Sequence, residues 1–337
     1  KTAKKVAPPP AWAWTLPAGL KAPEVPSDNP MSAAKVALGH KLFFDKRLSG
    51  DGSRSCYSCH QNELGNADGR ALALGAGDKP LTRNTPTIWN VAYHTKLYWD
   101  GRGAGLEKQM LGAWKGGNMG VGADNLDAKA EEIGKLPEYR PAFTQIFKLG
   151  EADKVTPMQV AQIVSAYERT LLCGDSPYDT GKLGESAQRG WEVFRDKGCA
   201  TCHTGDNFSD GEFHNVGIAV PKKAGEGDLG RGKVTKDAAD NYKFRTPTLR
   251  NVSNTAPYFH DGSVATLEEA VRYMASGGNR KAPGLDDKLQ DLKLTEDQIK
   301  DVVAFLESLA CTGKLEVIGD QTVAGIGDRA PLPPPPT

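Results

Sequence analysis

The chain has 337 residues, and its 42 lysines and arginines balance its 42 aspartates and glutamates. A net charge of zero excludes a protein that binds nucleic acid through a strongly basic surface. No run of about 18 consecutive apolar residues is present, which excludes a membrane-spanning helix. The length predicts two domains of roughly 150 residues each, and a hydrophobic content of 39% is enough for two ordinary cores.

Residues 1–30 are rich in proline and alanine and include Trp12 and Trp14. This composition predicts an extended N-terminal arm, either docked on the protein or disordered. At the other end, residues 316–337 include the polyproline segment Pro333–Pro336 and are predicted to form a solvated tail. The folded part of the chain is therefore expected between these two segments.

The first half carries a motif in which two thiols are three positions apart and a histidine follows at once. Cys56, Cys59 and His60 form this pattern, which is typical of c-type haem attachment. The thiols add to the vinyl groups of the haem, and the imidazole becomes the proximal ligand of the iron. A zinc site would need four clustered ligands, which neither half of the chain offers. The apolar segment Gly39–Asp45, just before the motif, is predicted to be a helix that faces the haem.

The second half repeats this order. Cys199, Cys202 and His203 form a second attachment motif, preceded by the similar helical segment Gly190–Asp196. Each half closes with a predicted helix that opens with a threonine cap, at Thr156 and Thr295. Further segments recur after each motif: Thr85–Val91 and Thr246–Val252, then Asp100–Gly101 and Asp261–Gly262. The repeat predicts a mainly α protein with long loops, built of two tandem cytochrome c-type haem domains related by a pseudo-twofold axis, at residues 31–175 and 176–315.

The sixth ligand of each iron decides what its haem can do. Met274 lies eight residues into a helix capped by Thr266, and its thioether is the candidate sixth ligand of the second haem; packing in the core is the alternative for this methionine. Met274 is twelve residues past Gly262, and twelve residues past Gly101 is Ala113, which cannot bind iron. We therefore expect an open first haem that does chemistry and a His/Met second haem that transfers electrons.

These residues together make the chain similar to the bacterial di-haem cytochrome c peroxidases and MauG. The resemblance covers roughly residues 30–312 and includes both haem motifs and the following segments: Leu42–Asp45, Asn84–Thr87, Trp99–Arg102, Phe213–Gly217, Thr246–Val252 and Pro257–Gly262. It implies a peroxidatic haem in the first domain, an electron-transfer haem in the second, and Trp99 between them. It also implies a calcium ion between the domains, bound by the Asn84 side chain and the carbonyls of Thr255 and Pro257.

The chain departs from the peroxidases of this family around the first haem. The loop Leu74–Pro80 lacks the distal histidine that blocks the iron, so the first haem is expected to be open without prior reduction. Gln109 matches the distal glutamine, whereas Ala113 replaces the distal proline. The distal glutamate falls near Asn118 and Met119, where no carboxylate is present, and an asparagine cannot act as a general base near neutral pH. The glycine-rich stretch 116–122 is expected to be mobile.

Several other side chains have two interpretations. Cys173 and Cys311 follow the closing helix of each half and are either free thiols or a disulfide that forms near the pseudo-twofold axis. Trp114 either relays an oxidising equivalent or packs in the core. His94 is expected to make a structural hydrogen bond, and the resemblance gives His214 and His260 supporting contacts to haem propionates or backbone. His40 is expected to face solvent.

Three functions remain open on the sequence alone. The first is a peroxidase that reduces hydrogen peroxide with electrons from a small cytochrome c or cupredoxin. The second is a MauG-like enzyme that uses peroxide to oxidise a side chain of a protein substrate. The third is a non-catalytic di-haem electron carrier, in which Met119 ligates the first iron. Because thioether haem attachment takes place outside the cytoplasm, the expected location is the periplasm; a homodimer is one of the open oligomeric states.

Overall fold

The computed structural model describes residues 12–218, 220–221 and 226–311. The beginning of the N-terminal arm, residues 1–11, and the predicted tail, residues 316–337, lie outside the described residues. Nine α-helices are assigned within this part of the chain. They are α1 Ala33–Phe44, α2 Leu106–Lys115, α3 Leu126–Lys135, α4 Arg140–Phe147, α5 Pro157–Glu168, α6 Glu185–Asp196, α7 Arg231–Thr235, α8 Leu267–Ala275 and α9 Glu296–Glu307.

Two short antiparallel strand pairs accompany the helices in the described residues. Strands β1 Lys96–Leu97 and β2 Gly103–Ala104 pair in the first half, and β3 Phe213–His214 and β4 Phe244–Arg245 pair in the second. The rest is turns and loops, so the prediction of a mainly α protein with long loops is confirmed. None of the described helices combines the length and the apolar character that crossing a membrane requires.

Local sequence sets where the closing helices begin. Thr156 caps α5 and Thr295 caps α9, each in a reciprocal capping box with the glutamine three residues on. Thr266 caps α8 in the same way with Glu269. The predicted caps are therefore confirmed.

The same helix crossing builds the core of each half. In the first half α1 crosses α5, and a Cβ atom on Gly39 would lie 2.3 Å from the Ile163 carbonyl oxygen. In the second half α6 crosses α9, and a Cβ atom on Gly190 would lie 1.8 Å from the Asp301 carbonyl oxygen. Glycine is needed at both crossings because the backbones approach too closely for any side chain. Two separate hydrophobic clusters result, one within residues 31–173 and one within residues 194–309.

The two halves contact each other through reciprocal hydrogen bonds. The Asn84 amide donates to the His260 carbonyl at 2.8 Å, and the Arg245 amide donates to the Trp99 carbonyl at 2.8 Å. Asn84 and Arg245 are equivalent in the repeat, as are Trp99 and His260. Such an exchange of equivalent partners is the signature of a twofold interface, and it agrees with the predicted pseudo-twofold arrangement.

A disulfide joins the halves beside this interface. Cys173 and Cys311 are bonded, with their Cα atoms 5.2 Å apart. Each cysteine amide donates to the side chain of an equivalent asparagine, Cys173 to Asn90 at 2.7 Å and Cys311 to Asn251 at 3.3 Å. The disulfide is thus the correct alternative for these two residues.

The described part of the arm, residues 12–30, is docked rather than free. The Ala18 amide donates to the Asp175 carboxylate at 2.6 Å, and the Tyr93 hydroxyl donates to the Lys21 carbonyl at 2.5 Å. Asn29, near its end, donates to Glu107 at 2.6 Å. The arm therefore lies against the first half and the segment that connects the two halves.

Candidate haem sites and the interface between them

The first attachment motif forms a single 3-10 turn, Cys56–Ser58, followed by the histidine. The Nδ1 atom of His60 is 3.0 Å from the Asn66 carbonyl, a contact that makes Nδ1 the donor and leaves Nε2 with its lone pair. Burial lowers the pKa of His60, which favours the neutral imidazole that a metal needs. Cys56 and Cys59 are not joined in a disulfide, so both thiols are available for thioether bonds.

The second motif has the same geometry. Cys199–Thr201 form a 3-10 turn, and His203 Nδ1 lies 3.0 Å from the Phe208 carbonyl. Cys199 and Cys202 are likewise free, and burial lowers the pKa of His203. Two thiols and one imidazole with a free Nε2 fit the attachment of a c-type haem at each site.

Helices α2 and α8 occupy equivalent places after the two motifs. Each begins at a leucine, Leu106 or Leu267, and both follow an Asp-Gly turn. In this register Met274 on α8 is equivalent to Ala113 on α2, and both residues are half-buried. The candidate sixth ligand and the alanine therefore lie at the same position of the same helix.

Gln109 lies one turn before Ala113 on α2. Its carbonyl accepts a hydrogen bond from the Tyr98 hydroxyl at 3.0 Å, which fixes the helix against the preceding loop. Asn118, the other candidate distal amide, is half-buried just beyond the end of this helix. The structure thus places both candidate amides on α2 or within a few residues of it.

Backbone hydrogen bonds connect the stretch 116–122, which the sequence predicts to be mobile, to the end of α2 and to Gly50. The Met119 amide donates to Ala113, the Val121 amide donates to Trp114, and the Met119 carbonyl accepts from Gly50 at 2.7 Å. The glycines allow positive backbone angles at Gly120 and Gly122, which is why the chain can fold back onto the helix end. Met119 is only 7% exposed and belongs to the first hydrophobic cluster.

The loop Leu74–Pro80 packs against this stretch. The Ala76 amide donates to the Gly117 carbonyl at 3.1 Å, and the Gly75 carbonyl accepts from Arg54 Nε at 2.6 Å. The Cys59 thiol approaches the Leu74 carbonyl at 3.5 Å, so the loop borders the first haem motif. The loop that lacks a histidine thus adjoins both the attachment site and the segment with Asn118.

Trp99 lies in the interface between the halves. Its indole Nε1 donates to the Asn84 carbonyl at 2.9 Å, and its own carbonyl accepts from the Arg245 amide. The next residue, Asp100, forms an ion pair with Arg83 at 2.7 Å, and Arg83 also binds Asp228 of the second half at 2.6 Å. Main-chain contacts to both halves therefore fix the position of this tryptophan.

The calcium site that the resemblance implies would use the Asn84 side-chain oxygen and the carbonyls of Thr255 and Pro257. Asn84 is buried, and its Nδ2 donates to the Arg70 carbonyl at 2.7 Å. Among the described residues, nothing donates to its Oδ1 or to the carbonyls of Thr255 and Pro257. The main-chain amide of Asn84 donates to the carbonyl of His260, which follows Thr255 and Pro257 by a few residues in the chain. Uncharged oxygens left without donors are suitable ligands for calcium.

The remaining aromatic and histidine predictions have mixed outcomes. Trp114 is fully buried and donates to the Leu48 carbonyl at 2.6 Å, which is a packing role. His94 makes the expected structural contacts, accepting from Asn207 and Arg245. His40, expected to face solvent, is half-buried: its ring packs against Phe44 and Tyr167 and part of the residue stays exposed.

The two histidines that match family positions are held by protein groups. His214 lies between the carboxylates of Asp286 and Asp210, at 2.5 Å and 3.1 Å. His260 is stacked on Phe244 with ring centroids 3.6 Å apart, and its carbonyl accepts from Asn84. Both side chains therefore stabilise loops beside the second motif and the interface.

Two buried ionisable residues were not singled out from the sequence, Glu168 and Arg245. Glu168 occupies the position on α5 that corresponds to Leu306 on α9, and Arg245 corresponds to Asn84. Aligning the two halves would have shown a charged residue where the other half has a neutral one, which is the signal that could have identified them.

Comparisons with known proteins agree with this architecture. The family model described as "Di-haem cytochrome c peroxidase" matches residues 33–187, and the one described as "Cytochrome c" matches residues 187–310. The chain is 40% identical over 326 residues to the cytochrome-c peroxidase IdrP1 of Denitromonas iodatirespirans, an alignment that covers 86% of this chain and 85% of that protein.

A second relative and a solved structure extend the comparison. The chain is 38% identical over 296 residues to the methylamine utilization protein MauG of Methylorubrum extorquens, covering 84% of this chain and 80% of MauG. The crystal structure of a MauG-like protein associated with microbial copper homeostasis superposes with a TM-score of 0.83 at 33% identity, covering 90% of this chain and 96% of that one. The chain therefore belongs to the di-haem cytochrome c peroxidase and MauG family of oxidoreductases.

Proposed function

We propose that this protein reduces hydrogen peroxide at an open first haem, using electrons that pass through a His/Met second haem. The observation that carries the proposal is the equivalence of Ala113 on α2 and Met274 on α8. A methyl side chain cannot occupy an iron coordination position that a thioether fills in the other half. Residues 31–175 then form the peroxidatic domain and residues 176–315 the electron-transfer domain.

Each haem is held by one motif of the chain. Cys56 and Cys59 would hold the first haem through thioether bonds, and His60 would bind its iron. Cys199, Cys202 and His203 would do the same for the second haem, and Met274 would be the further iron ligand there. A bound haem iron with a free position supplies the centre at which the O–O bond of peroxide is broken.

The side chains around the first site bind and orient peroxide. The amides of Gln109 and Asn118 can each donate to one peroxide oxygen and accept from the other. Neither amide can take up a proton near neutral pH, so the acid–base step that a glutamate would provide is missing there. Trp99, held between the halves by its main chain and its indole nitrogen, is the aromatic group through which electrons cross the interface.

A calcium ion bound by Asn84, Thr255 and Pro257 is part of the same proposal. Its support is the set of three oxygens that accept no hydrogen bond from the described residues. Bound between the halves, the ion would fix the segment that begins at Asn84 and contacts Trp99. The electron donor is a small periplasmic redox protein, a cytochrome c or a cupredoxin.

Peroxide addition to the fully ferric protein, followed by stopped-flow absorption, tests the open first haem. We expect a spectral change at once, without prior reduction, and an electron paramagnetic resonance spectrum with one high-spin and one low-spin haem. The matched variant is Ala113→Met, which places a thioether at the vacant position. It should abolish both the high-spin signal and the reaction, while the second haem stays low-spin.

Two other outcomes correspond to the other functions. If peroxide reacts at once but reduced small cytochromes or cupredoxins are not oxidised, the protein is a MauG-like enzyme that oxidises a protein side chain. The absence of a histidine from the loop Leu74–Pro80 is the feature that favours this alternative. If the ferric protein shows two low-spin haems and no reaction, it is an electron carrier, with Met119 as the ligand to test.

A further inference from the structure

Arg245 is a buried cation at the interface between the halves. Only 7% of the residue is exposed. Its Nη1 donates to the His94 ring at 3.0 Å and to the Thr246 carbonyl at 3.2 Å. Nε is buried without an acceptor, and Nη2 donates to nothing among the residues that the structure describes. Two of the three guanidinium nitrogens therefore lack a partner.

The other buried arginines of the described chain all have a carboxylate. Arg250 binds Asp179 at 2.6 Å, Arg169 binds Glu107 at 2.7 Å, and Arg54 binds Asp78. Arg245 has no such ion pair. Burial lowers its pKa only to about 10, so the guanidinium group stays charged at neutral pH. A buried, unpaired charge is costly, which indicates that the folded holoprotein supplies an anion here.

The unpartnered nitrogens also define the shape of that anion. Nε and Nη2 form the side-on fork of the guanidinium, which binds the two oxygens of a carboxylate in parallel. His94 does not supply that anion, because a deprotonated imidazole is neutral; burial and the neighbouring Arg245 hold its pKa well below the ordinary value, so the ring accepts from Nη1 without carrying a charge. The fork thus matches a carboxylate that the polypeptide does not provide.

The surroundings point to the second haem as the source of this carboxylate. Arg245 directly precedes the Thr246–Val252 segment, in which Pro247 lies beside the His203 ring. Thr248 of this segment donates to Asn207, five residues past Cys202, and Asn207 in turn contacts His94. Arg245 therefore lies among the hydrogen-bonded residues that adjoin the second attachment motif.

We propose that the Nε–Nη2 fork of Arg245 binds a propionate carboxylate of the second haem at the domain interface. In the pseudo-twofold arrangement Arg245 takes the place of Asn84, which the proposed function assigns to calcium. One half would thus bind a metal cation at this position, and the other half supplies a cation of its own. The pairing would raise the reduction potential of the second haem, because a positive charge near the iron favours the ferrous state.

Spectroelectrochemical titration of the di-haem protein tests this pairing. Arg245→Met should lower the potential of the second haem, raising its ferric-to-ferrous ratio at a fixed potential by about tenfold, or about 59 mV for one electron. Arg245→Lys, which keeps the charge, should recover most of the shift. Lys96→Met is the matched control: it removes an exposed charge that lies 5.4 Å from the ring of Phe213, the β3 partner of Arg245, and should leave the potential unchanged.

The proposal is overturned if Arg245→Met binds both haems and leaves the potential of the second haem unaltered. If Arg245→Met cannot be produced with both haems attached, a crystal structure of the wild-type di-haem protein tests the pairing instead. A propionate oxygen of the second haem within hydrogen-bond distance of Nε and Nη2 supports the pairing. Another anion on the fork, or none, refutes it.

Discussion

Glu168 is a buried residue whose equivalent in the second half has a different chemical character. It is 7% exposed at the end of α5, and its Oε2 has no hydrogen-bond partner among the described residues. Burial raises the pKa of Glu168 to about 8; the charge of Arg169 lowers this pKa and that of Glu107 raises it further. The equivalent residue of the second half is Leu306, which is buried on α9. The first half thus tolerates a neutral acid in a position that the second half fills with a hydrocarbon.

We predict that Glu168→Gln stabilises the protein at alkaline pH. The folded protein keeps the Glu168 proton up to about pH 8, whereas the unfolded chain loses it near pH 4.5. Because the folded state binds more protons in this range, the wild-type free energy of unfolding falls as pH rises through it. The variant has no such loss, so its advantage should grow by about 3–5 kcal/mol between pH 5 and pH 9.

Guanidinium unfolding curves of both proteins at the two pH values measure this effect. Glu151→Gln, at an exposed glutamate, is the control and should follow the wild-type pH dependence. Parallel curves for wild type and Glu168→Gln would show that the carboxyl group ionises normally in the fold.

At the scale of the elements, the helix crossings decide whether each half can pack. Gly190 lets α6 approach α9 so closely that a Cβ atom would lie 1.8 Å from the Asp301 carbonyl oxygen and 3.0 Å from Phe305 Cβ. The same contact recurs between α1 and α5 at Gly39. A glycine therefore sets the distance between the first and the closing helix in each half.

Gly190→Ala should destabilise the protein by about 1–3 kcal/mol or more, because the added methyl group pushes against backbone that cannot move away. The readout is the midpoint of thermal or guanidinium unfolding. Glu192→Ala, at an exposed position of the same helix, should change stability by less than about 0.5 kcal/mol. Equal stability of Gly190→Ala and wild type would mean that the crossing can widen without cost.

For the whole molecule, the interface is what makes two haem modules into one protein. The halves exchange equivalent main-chain bonds at Asn84 and Arg245, and Arg83 carries an ion-pair network from Asp100 to Asp228. The Cys173–Cys311 disulfide closes the interface across a sequence separation of 138 residues. Long-range closure of this kind restricts the unfolded chain more than a short loop would.

Replacing both cysteines, as Cys173→Ala with Cys311→Ala, should lower the free energy of unfolding by about 4–5 kcal/mol on the chain-entropy estimate. Chemical unfolding of the oxidised wild type and of the double variant measures the difference, and reduced wild type provides a control that keeps both side chains. Alkylation of unreduced protein should modify neither cysteine. Modification of both thiols would contradict the bond.

The haem-attachment residues and the helix caps could be predicted from sequence because each lies within a few consecutive residues. Cys56, Cys59 and His60 specify their chemistry by spacing alone, and Thr295 with Gln298 specifies a helix start in the same local way. The internal repeat allowed a further prediction, because comparing Ala113 with Met274 identified a difference in the candidate iron ligand that one module alone would not reveal. The glycine content of 116–122 indicated conformational freedom but could not predict the backbone hydrogen bonds that these residues make with Ala113, Trp114 and Gly50.

The two haem motifs, the helical repeat and the resemblance to the family could all be recognised in the amino-acid sequence. The pairing of Cys173 with Cys311, the bonds of Trp99 to both halves and the burial of Arg245 without a carboxylate became visible only in the folded chain. These features depend on residues more than a hundred positions apart, which meet only when the helix crossings place one half against the other. Whether a side chain is buried, and whether a charge has a partner, depends on which distant residues pack around it. No local sequence pattern encodes this.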